Sequence, residues 1–278
     1  MFNAVSIIAR VDQRKALDFA TNLIEHLEAR GLAVSLEPRL AKHAKRKESA
    51  ITLKEMKTDL IITVGGDGTI LRTCLLLPKP EPPILAINMG VRGFLAEVPP
   101  EKGLDAVNRC LNGNFHLEKC MKLSSSIEAK RLPDALNEVL ITSQAPSKLL
   151  HVRIRKDETA VAECRADGML VASQVGSTGY SLSAGGPVLD PDVDAFVFTP
   201  ICPLTAFHPL VFSAKNTILI QLLKPKKAFV VLDGHYRAEM NPKNPRISVS
   251  KSEHESSFVR FDDGFYRRLK SRLLFARS

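Results

Sequence analysis

Hydrophobic and polar positions change rhythm along this chain. Ala4 to Ile8 is a short, nearly continuous apolar run, the pattern of a β-strand. From Lys15 to Ala29 the apolar residues Leu17, Ala20, Leu23, Ile24 and Leu27 recur at helical spacing, and Gly31 stands where a helix C-cap belongs. Ala33 to Leu36 predicts a second strand. Leu60 to Val64 (LIITV) is apolar almost throughout, as in a strand covered on both faces. A glycine-rich turn, a helix from Thr69 to Leu77 and a strand from Ile84 to Ile87 follow. Strand and helix in alternation argue for a parallel sheet flanked by helices.

The rhythm changes after Pro99-Pro100. One more helix is predicted from Glu101 to Leu111, closed by Asn112-Gly113. Short strands are then predicted at Ser124 to Ala129, Val139 to Thr142, Leu149 to Arg155, Met169 to Ala172, Ala195 to Thr199, Thr217 to Leu222 and Ala228 to Leu232, separated by turn residues. Phe265 to Phe275 returns to helical spacing with a basic face. The expected fold class is α/β. An open domain with a parallel sheet covers residues 1–100, a β-rich, β-sandwich-like domain covers 101–258, and a C-terminal helix in 259–278 packs back on the first domain.

Composition narrows the function. The 278 residues suffice for one large domain or two smaller ones, each with its own core. No apolar stretch reaches the ~20 residues of a membrane span. The opening MFNAVSIIAR lacks the basic lead-in and cleavage site of a secretion signal and reads as a first strand. Cys74, Cys110, Cys120, Cys164 and Cys202 are widely spaced with no C-x-x-C pair. That argues against zinc or a disulfide framework and for reduced, mostly buried thiols in a cytoplasmic protein. The formal charge of +9 favours anionic partners: nucleic acids, anionic membranes or phosphorylated metabolites. The densest basic segments are Lys42 to Lys47 (KHAKRK) and Lys224 to Lys227 (KPKK). Neither is interleaved with aromatic residues, so both read as solvated loops rather than nucleic-acid surfaces.

The strongest local signal is Gly65-Gly66-Asp67-Gly68-Thr69, directly after the Leu60 to Val64 strand. Ligands of open α/β sheets bind at the carboxyl ends of strands. Glycines there let backbone N–H groups approach a phosphate, and the following helix adds its N-terminal dipole. A carboxylate amid these glycines can accept a hydroxyl proton or hold Mg²⁺; the alternative is a tight turn in which Asp67 only caps the next helix. There is no G-x-x-x-x-G-K-[ST], and the third glycine of G-x-G-x-x-G is missing after Gly68. Gly-x-Ser-x-Gly is also absent, which removes the serine-hydrolase reading.

The GGDGT string resembles that of a kinase superfamily: NAD kinases, diacylglycerol and sphingosine kinases and, more distantly, 6-phosphofructokinases. Further segments single out the NAD kinases. Asn88-Met89-Gly90-Val91-Arg92-Gly93-Phe94-Leu95 resembles their N-x-G-x-x-G-F-L segment, and Asn137-Glu138 their Asn-Glu pair. Asp167-Gly168 followed by Gly176 to Pro187 resembles their long glycine, serine and threonine segment, and Asp233-Gly234-His235 their late Asp-Gly turn. The ordered set spans Leu60 to Gly234. Gly179-Tyr180 replaces the Ala-Tyr of many bacterial members, and Val175 stands where many have Ser or Thr, a variant similar to archaeal-type members.

The resemblance implies transfer of a phosphoryl group from ATP or polyphosphate to the 2′-hydroxyl of the adenosine ribose of NAD, with Asp67 as the catalytic carboxylate. It implies ligand contacts from Gly66, Gly68, Arg72, Phe94, Asn137, Glu138, Lys148, Arg165, Asp167, Val175, Thr178, Gly179, Tyr180, Ser181, Leu182, Ser183 and His235. Taken singly, Arg72, Lys148 and Arg165 read as surface cations, Asn137-Glu138 as a strand-entry turn and Asp167 as a turn residue before Gly168. Mg²⁺ is expected to be held mainly by phosphates, with no protein metal site. No nucleic-acid or membrane partner is expected, and assembly as a homodimer or homotetramer is implied. Two rivals remain: a GGDGT lipid kinase, and a non-catalytic nucleotide- or nucleic-acid-binding module.

Overall fold

A computed structural model describes residues 2–90, 93–145, 148–225, 227–262 and 264–270. The chain divides into two compact units, Met1–Lys119 with Ser256–Ser278, and Cys120–Glu255.

In the first unit, β1 (Ala4–Ala9), α1 (Arg14–Glu28), β2 (Ala33–Leu36), α2 (Pro38–His43), β3 (Leu60–Gly65), α3 (Asp67–Leu76), β4 (Ile84–Asn88) and α4 (Gly103–Leu111) follow one another. The strands lie in the order β2-β1-β3-β4, all parallel. Every residue of β3 and β4 is buried, which is why neither shows a polar alternation. Helix α1 buries the stripe Ala16, Ala20, Leu23, Ile24 and Leu27, and Gly31 follows with φ +76, a left-handed conformation open to glycine. Pro38 opens α2, where its fixed φ and missing N–H cost nothing. The basic stretch beginning at Lys42 is thus partly a helix end, and Arg46 is paired with Glu28 at 2.8 Å.

Helix α4 places Ala106, Val107 and Cys110 in the same core as Leu23, Leu85 and Ile87. Its apolar face therefore assigns it to the first unit, and the units part at Lys119, not near residue 100. The chain then continues through β5 (His116–Ile127), β6 (Lys130–Arg131), β7 (Glu138–Ser143), β8 (Leu150–Lys156), β9 (Thr159–Ala166), β10 (Gly168–Ala172), α5 (Tyr180–Ser183), β11 (Ala195–Ile201), β12 (Leu210–Ser213), β13 (Ile218–Lys224), β14 (Ala228–Leu232), β15 (Tyr236–Glu239), β16 (Arg246–Arg260) and α6 (Phe265–Leu269).

The second unit holds an antiparallel sheet in the order β12-β11-β10-β7-β14-β15 and an antiparallel run β16-β13-β8-β9. Four of its strands, β6, β9, β12 and β15, and the whole of β16 escape the hydrophobic pattern. Ser250 to Ser257 is polar throughout, yet its inward positions Ser252 and Ser256 are buried serines. Ser252 donates to Asp134 at 2.8 Å and Ser256 to Glu81 at 2.5 Å. The end of β16 belongs to the first unit, where Phe258 pairs in parallel with Ile84. Helix α6 groups with that unit too; residues 271–275 of the predicted helix lie outside the described residues. All five cysteines are free thiols, four of them buried. Among the described residues, no helix is long and apolar enough to cross a membrane.

Candidate active site

The first unit builds its site at the end of β3. A Cβ on Gly65 would overlap the Thr69 hydroxyl, so only glycine lets the strand turn directly into α3. Gly66 is the N-cap and Asp67 the first helical residue. The Asp67 carboxylate does more than the capping alternative requires. Its Oδ2 accepts the N–H of Phe94 at 2.5 Å, and its Oδ1 accepts those of Leu95 at 3.2 Å and Ala96 at 3.1 Å. A carboxylate offers about four acceptor positions. Among the described residues three are taken, leaving one on Oδ2 for a hydroxyl or cation.

The loop that grips Asp67 is itself gripped. The Leu95 carbonyl accepts from Arg260 at 3.0 Å. Arg260 is 3 % exposed and pairs with Glu118 at 2.5 Å and Glu97 at 3.3 Å, and Glu97 also meets Arg268 at 3.2 Å. Burial pushes the Glu97 carboxyl above its ordinary value, while the two arginines pull it down. The Phe94 ring meets Phe265 edge-on at 5.8 Å. Val91 and Arg92, inside the N-x-G-x-x-G-F-L segment, lie outside the described residues.

Arg72, read as a phosphate ligand, projects from α3 and donates to Glu37 at 3.0 Å. Glu37 is 5 % exposed, and its second oxygen has no partner among the described residues. One arm of the guanidinium fork is therefore committed to an internal carboxylate.

In the second unit, Asn137 and Glu138 stand at the start of β7. Asn137 Oδ1 is buried with no partner among the described residues, an acceptor facing an unmet demand. Burial, and then the charge of Asp233, push the Glu138 carboxyl up to about 8. Gly176 lies so close to Asn137 that a Cβ would overlap its carbonyl, and a Cβ on Gly179 would come 3.4 Å from Asn137 Nδ2 and 3.8 Å from Glu138 Oε2. The glycine segment thus folds over the Asn-Glu pair.

Not every hydroxyl in that segment faces outward. Thr178 is partly exposed, but its hydroxyl donates to the Val175 carbonyl at 2.9 Å. Ser181, expected as a ligand contact, is fully buried with its hydroxyl 2.9 Å from that of Thr199. Helix α5 turns the Ser181 side chain inward and leaves Tyr180 and Ser183 exposed and Leu182 half-buried. Val175 is half-buried beside them. Lys148 is exposed on a loop, Arg165 is exposed at the end of β9, and Asp167 is exposed in the β9–β10 turn. His235 is exposed in the turn between β14 and β15.

Two residues of this region carried no assigned role in the sequence reading. Asp233, named only as part of a turn, is 3 % exposed and accepts the N–H groups of Leu136, Asn137 and Glu138 at 2.7, 2.8 and 2.9 Å. Burial pushes its carboxyl up, while these bonds and the charge of Lys122 pull it back. Ser173 is fully buried beneath the same tripeptide and donates from Oγ to the Leu136 carbonyl at 2.5 Å. No periodicity marks either; the Asp-Gly turn was the one available signal.

Family models match both parts of the chain: the ATP-NAD kinase N-terminal domain over residues 5–115 and the ATP-NAD kinase C-terminal domain over residues 136–261. The chain is 42 % identical over 273 residues to an NAD kinase of Methanothermobacter thermautotrophicus, covering 97 % of this chain and 96 % of the relative. It is 37 % identical over 271 residues to an NAD kinase of Pyrococcus abyssi, covering 96 % and 97 %. Among solved structures it resembles an NAD kinase from Archaeoglobus fulgidus in complex with ATP, with a TM-score of 0.78 and 30 % identity over 97 % of this chain and 98 % of that one.

Proposed function

We infer the chemistry from one premise: the chain belongs to the ATP-NAD kinase family. It is an enzyme, a kinase that phosphorylates NAD with ATP as donor. The lipid-kinase and non-catalytic readings are not favoured, because both domain models and the relatives agree.

We propose that the acceptor is the 2′-hydroxyl of the adenosine ribose. Asp67 orients it through its open acceptor position and takes its proton as the bond to the γ-phosphorus forms and the β-phosphate leaves. Placement outweighs basicity: orientation can supply ~7–11 kcal/mol, whereas general-base help gives roughly 10²- to 10⁴-fold. Asn137 and Glu138 hold the nucleoside. The buried, unpartnered Asn137 Oδ1 suits an exocyclic amine of adenine, and a Glu138 that burial keeps protonated near neutral pH can donate as well as accept. Gly66 and Gly68 leave room for phosphates at the start of α3.

Mg²⁺ is proposed to arrive on the phosphates. The one open position on Asp67 is used by the ribose hydroxyl, so phosphate oxygens would hold the ion. When bound, it neutralises phosphate charge. Assembly as a homodimer or homotetramer in the cytoplasm completes the proposal, and light scattering of the purified protein tests the assembly.

The observation that carries this reading is Asp67, fixed by three N–H groups with one acceptor position left over. The test is a coupled assay with NAD, Mg²⁺ and either ATP or polyphosphate, read as NADP. Formation of the 3′-phosphate isomer, or no phosphorylation by protein that binds NAD, overturns it.

A further inference from the structure

The main chain of Leu136, Asn137 and Glu138 has six polar groups, and two residues satisfy all of them. The Asp233 carboxylate takes the three N–H groups. Ser173 Oγ donates to the Leu136 carbonyl, and Ser173 N–H donates to the Asn137 carbonyl at 2.9 Å. Asp233 N–H closes the set by donating to the Glu138 carbonyl at 3.1 Å. Ser173 Oγ also accepts the N–H of Gly176 at 3.1 Å, which ties the glycine segment to the same anchor.

This arrangement is costly. Asp233 lies in a left-handed conformation at φ +49, which disfavours a side chain. Its carboxylate is buried, and the charge that answers it is Lys122, itself fully buried and among the largest fully buried side chains of the chain. Buried ion pairs are poor sources of stability, since apolar side chains of similar volume often do as well. The product here is therefore position: a tripeptide with no free main-chain polar group cannot swing its side chains by turning its backbone.

We propose that Asp233 and Ser173 are positioning residues for nucleoside binding. They do not touch the dinucleotide. They hold Asn137 and Glu138 in the one backbone geometry from which both side chains reach it. The inference rests on the reading that Asn137 and Glu138 hold the nucleoside, and the test separates the two.

Asp233→Asn keeps the shape but turns an amide donor toward backbone donors, and Ser173→Ala removes a single hydroxyl. Each is compared with Asn137→Ala and with the doubles Asp233→Asn/Asn137→Ala and Ser173→Ala/Asn137→Ala in the full chain. KM for NAD, KM for ATP and kcat are measured, with circular dichroism to verify folding. Asp233→Asn is expected to raise the KM for NAD at least about tenfold and Ser173→Ala several-fold, with the KM for ATP within about twofold. Each double is expected to fall short of the sum of its two single effects, because part of each anchor's effect acts through the Asn137 side chain and the rest through Glu138. If Asn137→Ala leaves the KM for NAD unchanged, the nucleoside reading itself fails. If Asn137→Ala raises it but folded Ser173→Ala leaves it unchanged, or shifts both KM values equally, the positioning role is overturned. Should Asp233→Asn not fold, Ser173→Ala and its double decide alone.

Discussion

Each unit contains an aspartate that collects three consecutive backbone N–H groups: Asp67 from Phe94, Leu95 and Ala96, and Asp233 from Leu136, Asn137 and Glu138. The hydrogen bonding is the same; the surroundings are opposite. Asp67 is partly exposed at a helix N-terminus and keeps one acceptor position open. Asp233 is buried, with Lys122 as its counter-charge. The difference fits the two proposed roles: around Asp67 the loop would hold the carboxylate for chemistry, whereas around Asp233 the carboxylate would hold the chain for binding.

Exchanging each aspartate for asparagine is the sharpest way to break this contrast. Asp67→Asn removes the proton acceptor and turns an amide toward the loop. We expect kcat to fall roughly 10²- to 10⁴-fold while the dissociation constant for NAD, measured by calorimetry, stays within about threefold. The loss should sit in kcat, where that of Asp233→Asn sits in the KM for NAD. If both variants lose the same parameter, the two aspartates do the same job and the contrast is empty.

A second break removes the support behind the first loop. Arg260→Met leaves the partly buried Glu97 and Glu118 without their central cation, and frees the Leu95 carbonyl. Removing one partner from a buried ionic cluster costs about 3–5 kcal/mol. Urea unfolding should register that loss, and kcat should fall with it because the Asp67 loop relaxes. A stability change below about 1 kcal/mol would show that the arginine is not what holds the loop.

The contrast also explains which parts of the site could be read from the chain. Asp67 was readable because its frame is local: a buried strand, glycines and a helix start lie within ten residues. Asn137 and Glu138 were readable only through resemblance, since an Asn-Glu pair before a strand has no periodic signature. Lys122 and Arg260 sit in strands as ordinary-looking cations, and their burial depends on carboxylates far away in sequence. The inward turn of Ser181 was not readable, because a hydroxyl in a small-residue segment looks the same whether it faces solvent or Thr199. Likewise, β16 hid because its inward positions are serines bonded to carboxylates, which hydropathy counts as loop.

Glu138 extends the comparison to pH. Its carboxyl rises from the ordinary 4.5 to about 8, so the folded protein keeps a proton that the unfolded chain has released across that window. Stability from this group is therefore full below pH 4.5 and falls as pH rises through 8, by at most about 1.4 kcal/mol per unit. Denaturant titrations of wild type and Glu138→Gln between pH 5 and 9 should show the wild-type slope to be steeper, with the difference ending near 8. Parallel slopes would mean that Glu138 is ionised throughout, and its role as a donor to the nucleoside would go with it.

The smallest expected effect tests how closely the glycine segment covers the Asn-Glu pair. A Cβ on Gly179 would stand 3.3 Å from the Gly176 carbonyl and 3.4 Å from Asn137 Nδ2, tight but tolerable if the neighbours give by a few tenths of an ångström. The backbone there has φ −98, so an alanine brings no left-handed strain. Gly179→Ala should therefore raise the KM for NAD about two- to threefold, leave kcat unchanged and cost well under 1 kcal/mol of stability. Gly176→Ala is the steep counterpart, since its Cβ would overlap the Asn137 carbonyl that Ser173 already holds. If the two alanines behave alike, the Asn137 backbone is free to move, and the idea that its position is fixed from beneath loses its footing.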